Sequence, residues 1–468
     1  MLFAQNYIKE EFIMKKLLTL FLIIFILSMP SETYAETKLH GVWIATAANL
    51  DYPSQQTLND EELRSEADKI LDDCNSLGIN AVFFQVRPSG DAFYPSILYP
   101  WSHYLTGTQG TAPENNFDVL DYWINSAHSR GIELHAWINP YRVASDASLK
   151  LAENNPAKQH PEWVIKYKNG LYLDPGIPDA KNYVIEGVKE IVKNYNVDGI
   201  HFDDYFYPGK DFDDSRSYAD YGMNTNKDNW RRSNTDSLIR ETGEAVHYIK
   251  KNVVFGVSPC GIWANRSVNE NGSDTNGTSA YYDMYADTLK WAKEGYVDYI
   301  APQIYWYTGF KAADYTVLSQ WWQSQLSNSD TKLYIGLGDY RMDKFGSDSS
   351  SPWFEGNELL RQMQANASSD GIDGEIHFRY GSIKNHQILY DKIKNEYSQY
   401  SDIKEENTIE TYCLYIYYNR FGIPIYTKNV RDTFNIAICR SNAPSDTNYA
   451  EGIFIDKNGE WKHECVKF

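Results

Sequence analysis

Cysteine is scarce in this chain: five among 468 residues, an odd number, with no CxxC pair and no Cys/His cluster. HExxH and HxxxH are missing too, so neither a structural nor a catalytic zinc ion finds its usual ligand spacing, and no metal is expected. Basic side chains are outnumbered, 44 Lys and Arg against 63 Asp and Glu, and the net charge of -19 sets most of the surface against a phosphate backbone. Nucleic acid is therefore not an expected partner. No GxGxxG or Walker-type loop follows any apolar run, and GxSxG is absent, which removes the common cradles for a nucleotide cofactor and for a serine nucleophile.

Long apolar runs are equally rare. One reaches from Leu17 to Leu27, behind Lys15 and Lys16 and ahead of Thr33-Tyr34-Ala35, the three-part pattern of a cleavable export signal. Residues 1–35 are read as that signal and excluded from the fold, with Met14 as an alternative start. The protein is then expected outside the cytoplasm, secreted or held at the cell envelope, with no membrane segment once the signal is removed. Cys74, Cys260, Cys413, Cys439 and Cys465 leave a disulfide in the tail open, without fixing a pair.

What the sequence does have is a 42% hydrophobic content, enough for a large core, and 15% aromatic residues, including 37 Tyr and 13 Trp. Such aromatics suit either a core or a surface that handles ring-shaped neutral ligands. Short apolar runs alternate with amphipathic stretches eight times. The strand cores are Gly41–Thr46, Asn80–Val86, Glu133–Ile138, Gly199–Asp203, Val253–Ser258, Asp298–Ile304, Leu333–Leu337 and Gly374–Phe378. Helical patterns follow at 60–77, 117–130, 180–195, 233–251, 281–294, 314–327, 355–367 and 385–397.

Helix-to-strand turns are tight, whereas the strand-to-helix segments 88–116, 140–179, 205–232 and 261–279 are long. A closed (β/α)8 TIM barrel elaborated at its C-terminal face accounts for that asymmetry better than an open doubly wound sheet. The barrel is placed at 36–398, a polar linker at 399–407 and a small all-β module at 408–468, where Tyr412, Leu414, Ile416 and Tyr418 alternate and Asn458-Gly459 signals a hairpin. The module reads equally as a wall-attachment accessory or as a cap on the barrel.

The fourth strand runs DGIHFDDYFYP (198–208). Alternation puts Gly199, His201 and Asp203 on one face, and Asp203 and Asp204 at the strand's upper end beside Tyr205. Two adjacent carboxylates near a His split their proton affinities, the usual route to separate acid and base roles. An Asp pair that caps the following loop or holds calcium is the bland alternative.

The segments GVWIATAANLDYPS (41–54), FFQVRPSGDAFYPSILYPWSHYLTGTQG (83–110), HAWINPYR (135–142), DGIHFDDYFYP, GVSPCGIWAN (256–265) and APQIYW (301–306), taken in order, resemble the glycosyl-hydrolase-like family ten of secreted bacterial proteins. The resemblance spans about 38–398 and leaves the tail uncovered. It implies a barrel that cleaves a cell-wall glycan or exopolysaccharide. DGIHFD is also similar to the DGFRxD segment of amylase-type barrels, whose nucleophile stands where Asp203 does. His201 replaces the Arg of that pattern, and the fifth strand lacks its Glu.

A second carboxylate is sought in Asp204, then Asp339 (GLGDYRM), then Asp91 (RPSGDAF); substrate assistance by an N-acetyl group, oriented by Tyr305, is a further route. Arg87, Asn139, Arg142, Gln303 and Arg379 are expected as hydrogen-bond donors around them. Trp101, Trp137, Tyr141, Trp263, Tyr305 and Trp306 are expected as flat faces for a sugar ring, with Tyr94 beside them. For each singly, core packing is as good an explanation; His135 and His201 fit either a tuning role or a satisfied interior position. A non-catalytic glycan-binding barrel and a metal-dependent polysaccharide deacetylase stand as the alternative functions.

Overall fold

The computed structural model describes residues 38–203, 206–222 and 225–406, then four strands, Cys413–Asn419, Pro424–Val430, Thr447–Ile455 and Trp461–Lys467. The leader, Asp204, Tyr205 and the Asn458-Gly459 turn lie outside the described residues. Eight parallel strands close into a barrel: β1 (Leu39–Ile44), β2 (Ala81–Arg87), β3 (Glu133–Ile138), β4 (Gly199–Asp203), β5 (Val254–Ser258), β6 (Tyr299–Ile300), β7 (Lys332–Leu337) and β8 (Gly374–His377). Each strand neighbours the next in sequence, and β8 returns to β1.

The strands are apolar on both faces because one packs inward and the other under helices. In β2, Val82, Phe84 and Val86 join the helix-facing core, while Phe83 meets Trp43, His135, His201 and Tyr299 inside the cylinder. That interior layer sets the local sequence. A Cβ on Gly199 would stand 2.3 Å from His135 Nδ1, so glycine is required where β4 passes β3.

The first helix, α1 (Asp60–Leu77), shows the local logic. Asn59 accepts the Glu62 N–H, three acidic residues occupy the first turn, and Gly78 ends it at φ 83°. Leu63, Ala67, Ile70, Leu71, Cys74 and Leu77 recur at helical spacing and are buried. The other outer helices are α2 (Val119–His128), α3 (Pro178–Asn194), α4 (Lys227–Ile249), α5 (Thr288–Lys293), α6 (Tyr315–Leu326), α7 (Asn357–Ala367) and α8 (Gln387–Glu406). Among the described residues no helix is long and apolar enough to cross a membrane.

Three expectations change. The sixth strand, expected over 298–304, is regular only at Tyr299–Ile300, because Pro302 has no N–H; Gln303 then bridges Cys260 and Gly336 singly. The helix expected over 281–294 is two, Ala280–Asp283 and α5, broken by Tyr285 at φ 54° and restarted by the Asp287 cap on the Lys290 N–H. Helix α8 runs on to Glu406, through most of the span read as a linker. The four strands of the tail pair antiparallel in the order Pro424–Val430, Cys413–Asn419, Thr447–Ile455, Trp461–Lys467.

Closure of the barrel is reinforced at its upper seam. Asp51, after β1, accepts the Ala45 N–H (2.9 Å) and the Gly381 N–H (2.7 Å), and pairs with Arg379, just after β8. Arg379 also donates to the Leu50 carbonyl at 2.7 Å. Burial pushes the Asp51 carboxyl above its usual range even beside that guanidinium, so the pair depends on all its partners. Arg379→Ala is expected to lower the unfolding free energy by about 3 kcal/mol, the scale for stripping one partner from a buried pair. Urea unfolding followed by tryptophan fluorescence measures this; a loss below about 0.5 kcal/mol, as for an exposed pair, would contradict it.

Candidate active site

The long segments all leave the C-terminal ends of strands. Residues 139–177, between β3 and α3, fold a small antiparallel sheet of Arg142–Ala144, Gly170–Leu173 and Val164–Tyr167 beside the barrel mouth. The buried amide of Gln109 joins this segment to the one before it. Its Nε2 donates to Asp91 (3.0 Å), and its Oε1 accepts from the Ala152 N–H (3.0 Å) and Asn155 Nδ2 (3.2 Å). Arg231 and Lys227 both pair with the buried Asp214, which secures the segment after β4.

At the mouth, Asp203 ends β4 with only 7% of its surface exposed. Asn139 Nδ2 donates to its Oδ2 at 3.2 Å and Gln303 Nε2 to its Oδ1 at 3.1 Å. Each amide is fixed in turn. Asn139 Oδ1 accepts from Gln85 Nε2 at 2.6 Å, Gln85 Oε1 accepts the Thr46 and Ala47 N–H groups, and Gln303 Nε2 also reaches the Ser258 carbonyl at 3.0 Å. The carboxylate is thus aimed by groups from the ends of β1, β2, β3, β5 and β6. Sequence reasoning passed over Gln85 and Thr46; the signal for Gln85 was there, an amide at an inward position of FFQVRP.

One layer deeper, His201 is fully buried and surrounded. Trp43 Nε1 can only donate, so His201 Nε2 accepts from it at 3.1 Å and from the Ser258 hydroxyl at 2.9 Å. The ring proton then sits on Nδ1 and points at the Tyr299 hydroxyl (3.0 Å), which in turn donates a hydrogen bond to His135 Nδ1 at 3.0 Å. Burial, with His135 close by, drives the His201 pKa well below 6.5, so the ring is neutral. Trp137 occupies the inward position paired with His201; it is 4% exposed and its Nε1 has no partner among the described residues.

The structure therefore brings Asp203, Asn139, Gln303, His201 and Trp137 together. Tyr305 stands two residues beyond Gln303, half-buried and stacked on Phe378 at 5.8 Å. Arg142 lies half-buried on the small sheet opposite Tyr172.

Other expected residues are turned away. Asp339 leaves β7 on the helix side, fully buried, with Oδ1 2.9 Å from His377 Nδ1. Arg87 follows a bulge in β2 that rotates it out of the interior, so it lies under Gly187 of α3 with its guanidinium 4.0 Å over the Tyr99 ring. Tyr94 and Tyr141 are fully buried in the helix-side core. Trp263 donates to Asp287 and stacks on Trp321. Trp101 and Trp306 are half-buried against that core. Asp91 is buried under Gln109, and Arg379 is held in the seam. In each case a stronger local partner, or a one-residue change of face, overrides proximity in sequence. Among the described residues no group of three His, Cys, Asp or Glu is placed to hold a metal ion.

The glycosyl hydrolase-like 10 family matches residues 38–355. The glycosyl hydrolase YngK of Bacillus subtilis (strain 168) is 41% identical over 380 residues, spanning 79% of this chain and 74% of that protein. The glycosyl hydrolase DigH of Escherichia coli (strain K12) is 40% identical over 375 residues, spanning 75% and 85%. Among solved structures, the PgaB (BpsB) glycoside hydrolase domain of Bordetella bronchiseptica has a TM-score of 0.50 at 15% identity, over 77% of this chain and 99% of that domain, a likeness of fold alone.

The pKa of His201 bears on acid stability. With its folded value below the unfolded 6.5, the stability tied to it is present above about pH 6.5 and lost as pH falls, because the unfolded chain takes up the proton first. His377 has the opposite sign. Burial opposes its charge, but the Asp339 carboxylate outweighs burial and raises its pKa, so its contribution is complete below 6.5 and lost as pH rises through the raised folded value. His201→Gln is expected to flatten the fall of the urea midpoint between pH 7 and 5, and an unchanged slope would contradict the assignment.

Proposed function

The chain belongs to the glycosyl hydrolase-like 10 family, and on that premise we propose that it is an exported glycoside hydrolase acting on a bacterial cell-wall or other amino-sugar polysaccharide. The observation that carries the reading is Asp203: a nearly buried carboxylate at the C-terminal end of a barrel strand, oriented by two amides, with Trp137 at the inward position paired with His201. Sugars offer an apolar ring face and a rim of hydroxyls, which such a surface matches.

In this reading Asp203 faces the anomeric carbon. Asp339 and Asp91 are committed elsewhere, so the acid that protonates the leaving oxygen is assigned to Asp204, the next residue in the chain. Asn139 and Gln303 keep the Asp203 oxygens in place while charge develops on the sugar, the kind of pre-orientation that makes a carboxylate effective. The apolar leader supports export, and we propose that residues 408–468 form a small β module associated with the cell wall.

Asp203→Asn is expected to reduce reducing-end release from purified wall glycan by at least about a hundredfold, the scale of one lost acid, base or nucleophile. The circular dichroism spectrum should be unchanged. Retained turnover would remove Asp203 from the mechanism. Glycan binding without cleavage by the wild-type protein, across amino-sugar and neutral polymers, would instead make the barrel a carbohydrate-binding module.

A further inference from the structure

Behind the barrel wall lies a positive charge that the side chains around it leave unbalanced. Arg87, at the end of β2, is 1% exposed; its Nε and Nη1 find no acceptor, and no carboxylate among the described residues pairs with its guanidinium. The groups that could answer it are committed elsewhere. Glu190, one turn beyond Gly187 on α3, accepts the Ser96 hydroxyl at 2.5 Å and the Ile97 N–H at 2.7 Å. Tyr183 donates to the Leu98 carbonyl at 2.5 Å and Tyr195 to Asp118 at 2.8 Å.

Two further buried hydroxyls, those of Tyr94 and Tyr99, have no partner among the described residues. A Cβ on Gly187 would stand 2.0 Å from Arg87 Nη1 and 3.1 Å from the Tyr99 hydroxyl oxygen, so both atoms meet at the same bare patch of α3. Tyr94 is near enough to the guanidinium to feel its charge. Burial nevertheless outweighs that pull and pushes the Tyr99 pKa up to about 12, so its hydroxyl keeps its proton and supplies no counter-charge. The face of the Tyr99 ring, 4.0 Å from the guanidinium, offsets part of the cost of burying a cation and leaves the N–H groups unmatched. Arginine nitrogens and tyrosine hydroxyls are all donors, and none of these carries negative charge. A water molecule would accept from some of them and leave the charge in place; a small anion would accept from all and cancel it.

We propose that Arg87, Tyr94 and Tyr99 form a binding site for a small monovalent anion, chloride being the abundant ion of that class. Enclosure between β2, segment 93–99 and α3 restricts the ligand to a few atoms. The Arg87 carbonyl accepts the Asn139 N–H at 2.9 Å, so the ion stands behind the strand end whose amide holds Asp203, outside the mouth itself. Such a site is independent of the hydrolase activity.

Bromide replaces chloride and scatters anomalously, which gives a direct test. Crystals of the full chain grown in sodium bromide should show an anomalous peak within hydrogen-bond reach of Arg87 and the two tyrosine hydroxyls; a water there, or no peak, overturns the proposal. In solution, the Tm followed by tryptophan fluorescence is expected about 2 °C or more higher in sodium chloride than in sodium gluconate of equal ionic strength, with a gain that saturates. A bromide peak with equal Tm in the two salts would mark an adventitious ion only, and would also overturn it. Arg87→Met should abolish the chloride response, and a retained response would move the ion elsewhere. Should that variant fail to fold, Tyr99→Phe keeps the ring and loses the donor, so the half-saturating chloride concentration should rise about five- to tenfold, as for one lost hydrogen bond. A half-saturation unchanged in both Tyr99→Phe and Tyr94→Phe would strike the site.

Discussion

The geometry of this molecule turns on a carboxylate that two strands other than its own hold in place. Asp203 belongs to β4, but its oxygens are met by Asn139 from the end of β3 and by Gln303 from beyond β6. Those amides reach the carboxylate only when the cylinder is closed and each strand is in register. His135 lies opposite Gly199 and Ser258 opposite Asp203, and a slip of one residue would send the whole inward set to the helix side. Site and fold are therefore one constraint. The seam pair of Asp51 and Arg379 serves it by binding the segments that follow the first and last strands.

Below the carboxylate the barrel is polar in an ordered way. Trp43, His201, Tyr299 and His135 would be costly in an apolar interior if any of them lacked partners. The donor-only indole of Trp43 fixes the tautomer of His201, and through Tyr299 that of His135. A second buried network runs outside the wall. Tyr397 of α8 donates to Glu375 and lies 2.8 Å from His377 Nε2, Asn366 of α7 donates to the other Glu375 oxygen, and Tyr315 of α6 donates to Asn366. Three helices are strapped to β8 through side chains that alternation places on its outward face. Asp339 closes this network, which is why a carboxylate at the end of a barrel strand does not enter the mouth.

Much of this was legible beforehand. The eight-fold alternation named every barrel strand, Glu133–Ile138 and Gly199–Asp203 to the residue, and α1 as well. Alternation within DGIHFD also placed Gly199, His201 and Asp203 inward, and the long strand-to-helix segments marked the functional face. Arg87 escaped because a single extra residue in β2 reverses its face, and a bulge has no reliable signal in composition. Arg379, Trp263 and Asp91 escaped because their partners, Asp51, Asp287 and Gln109, lie 328, 24 and 18 positions away along the chain.

The sequence by itself determined the repeating unit, the face on which function would be built and the central carboxylate, because each follows from short-range periodicity and from where extra residues fall. The tertiary structure alone decided which charges reach that carboxylate. Strand ends converge from all around the cylinder, so the partner that captures each arginine or acid is chosen by three-dimensional proximity and by the cost of leaving a buried charge unmatched. Neither is written in any local run of residues.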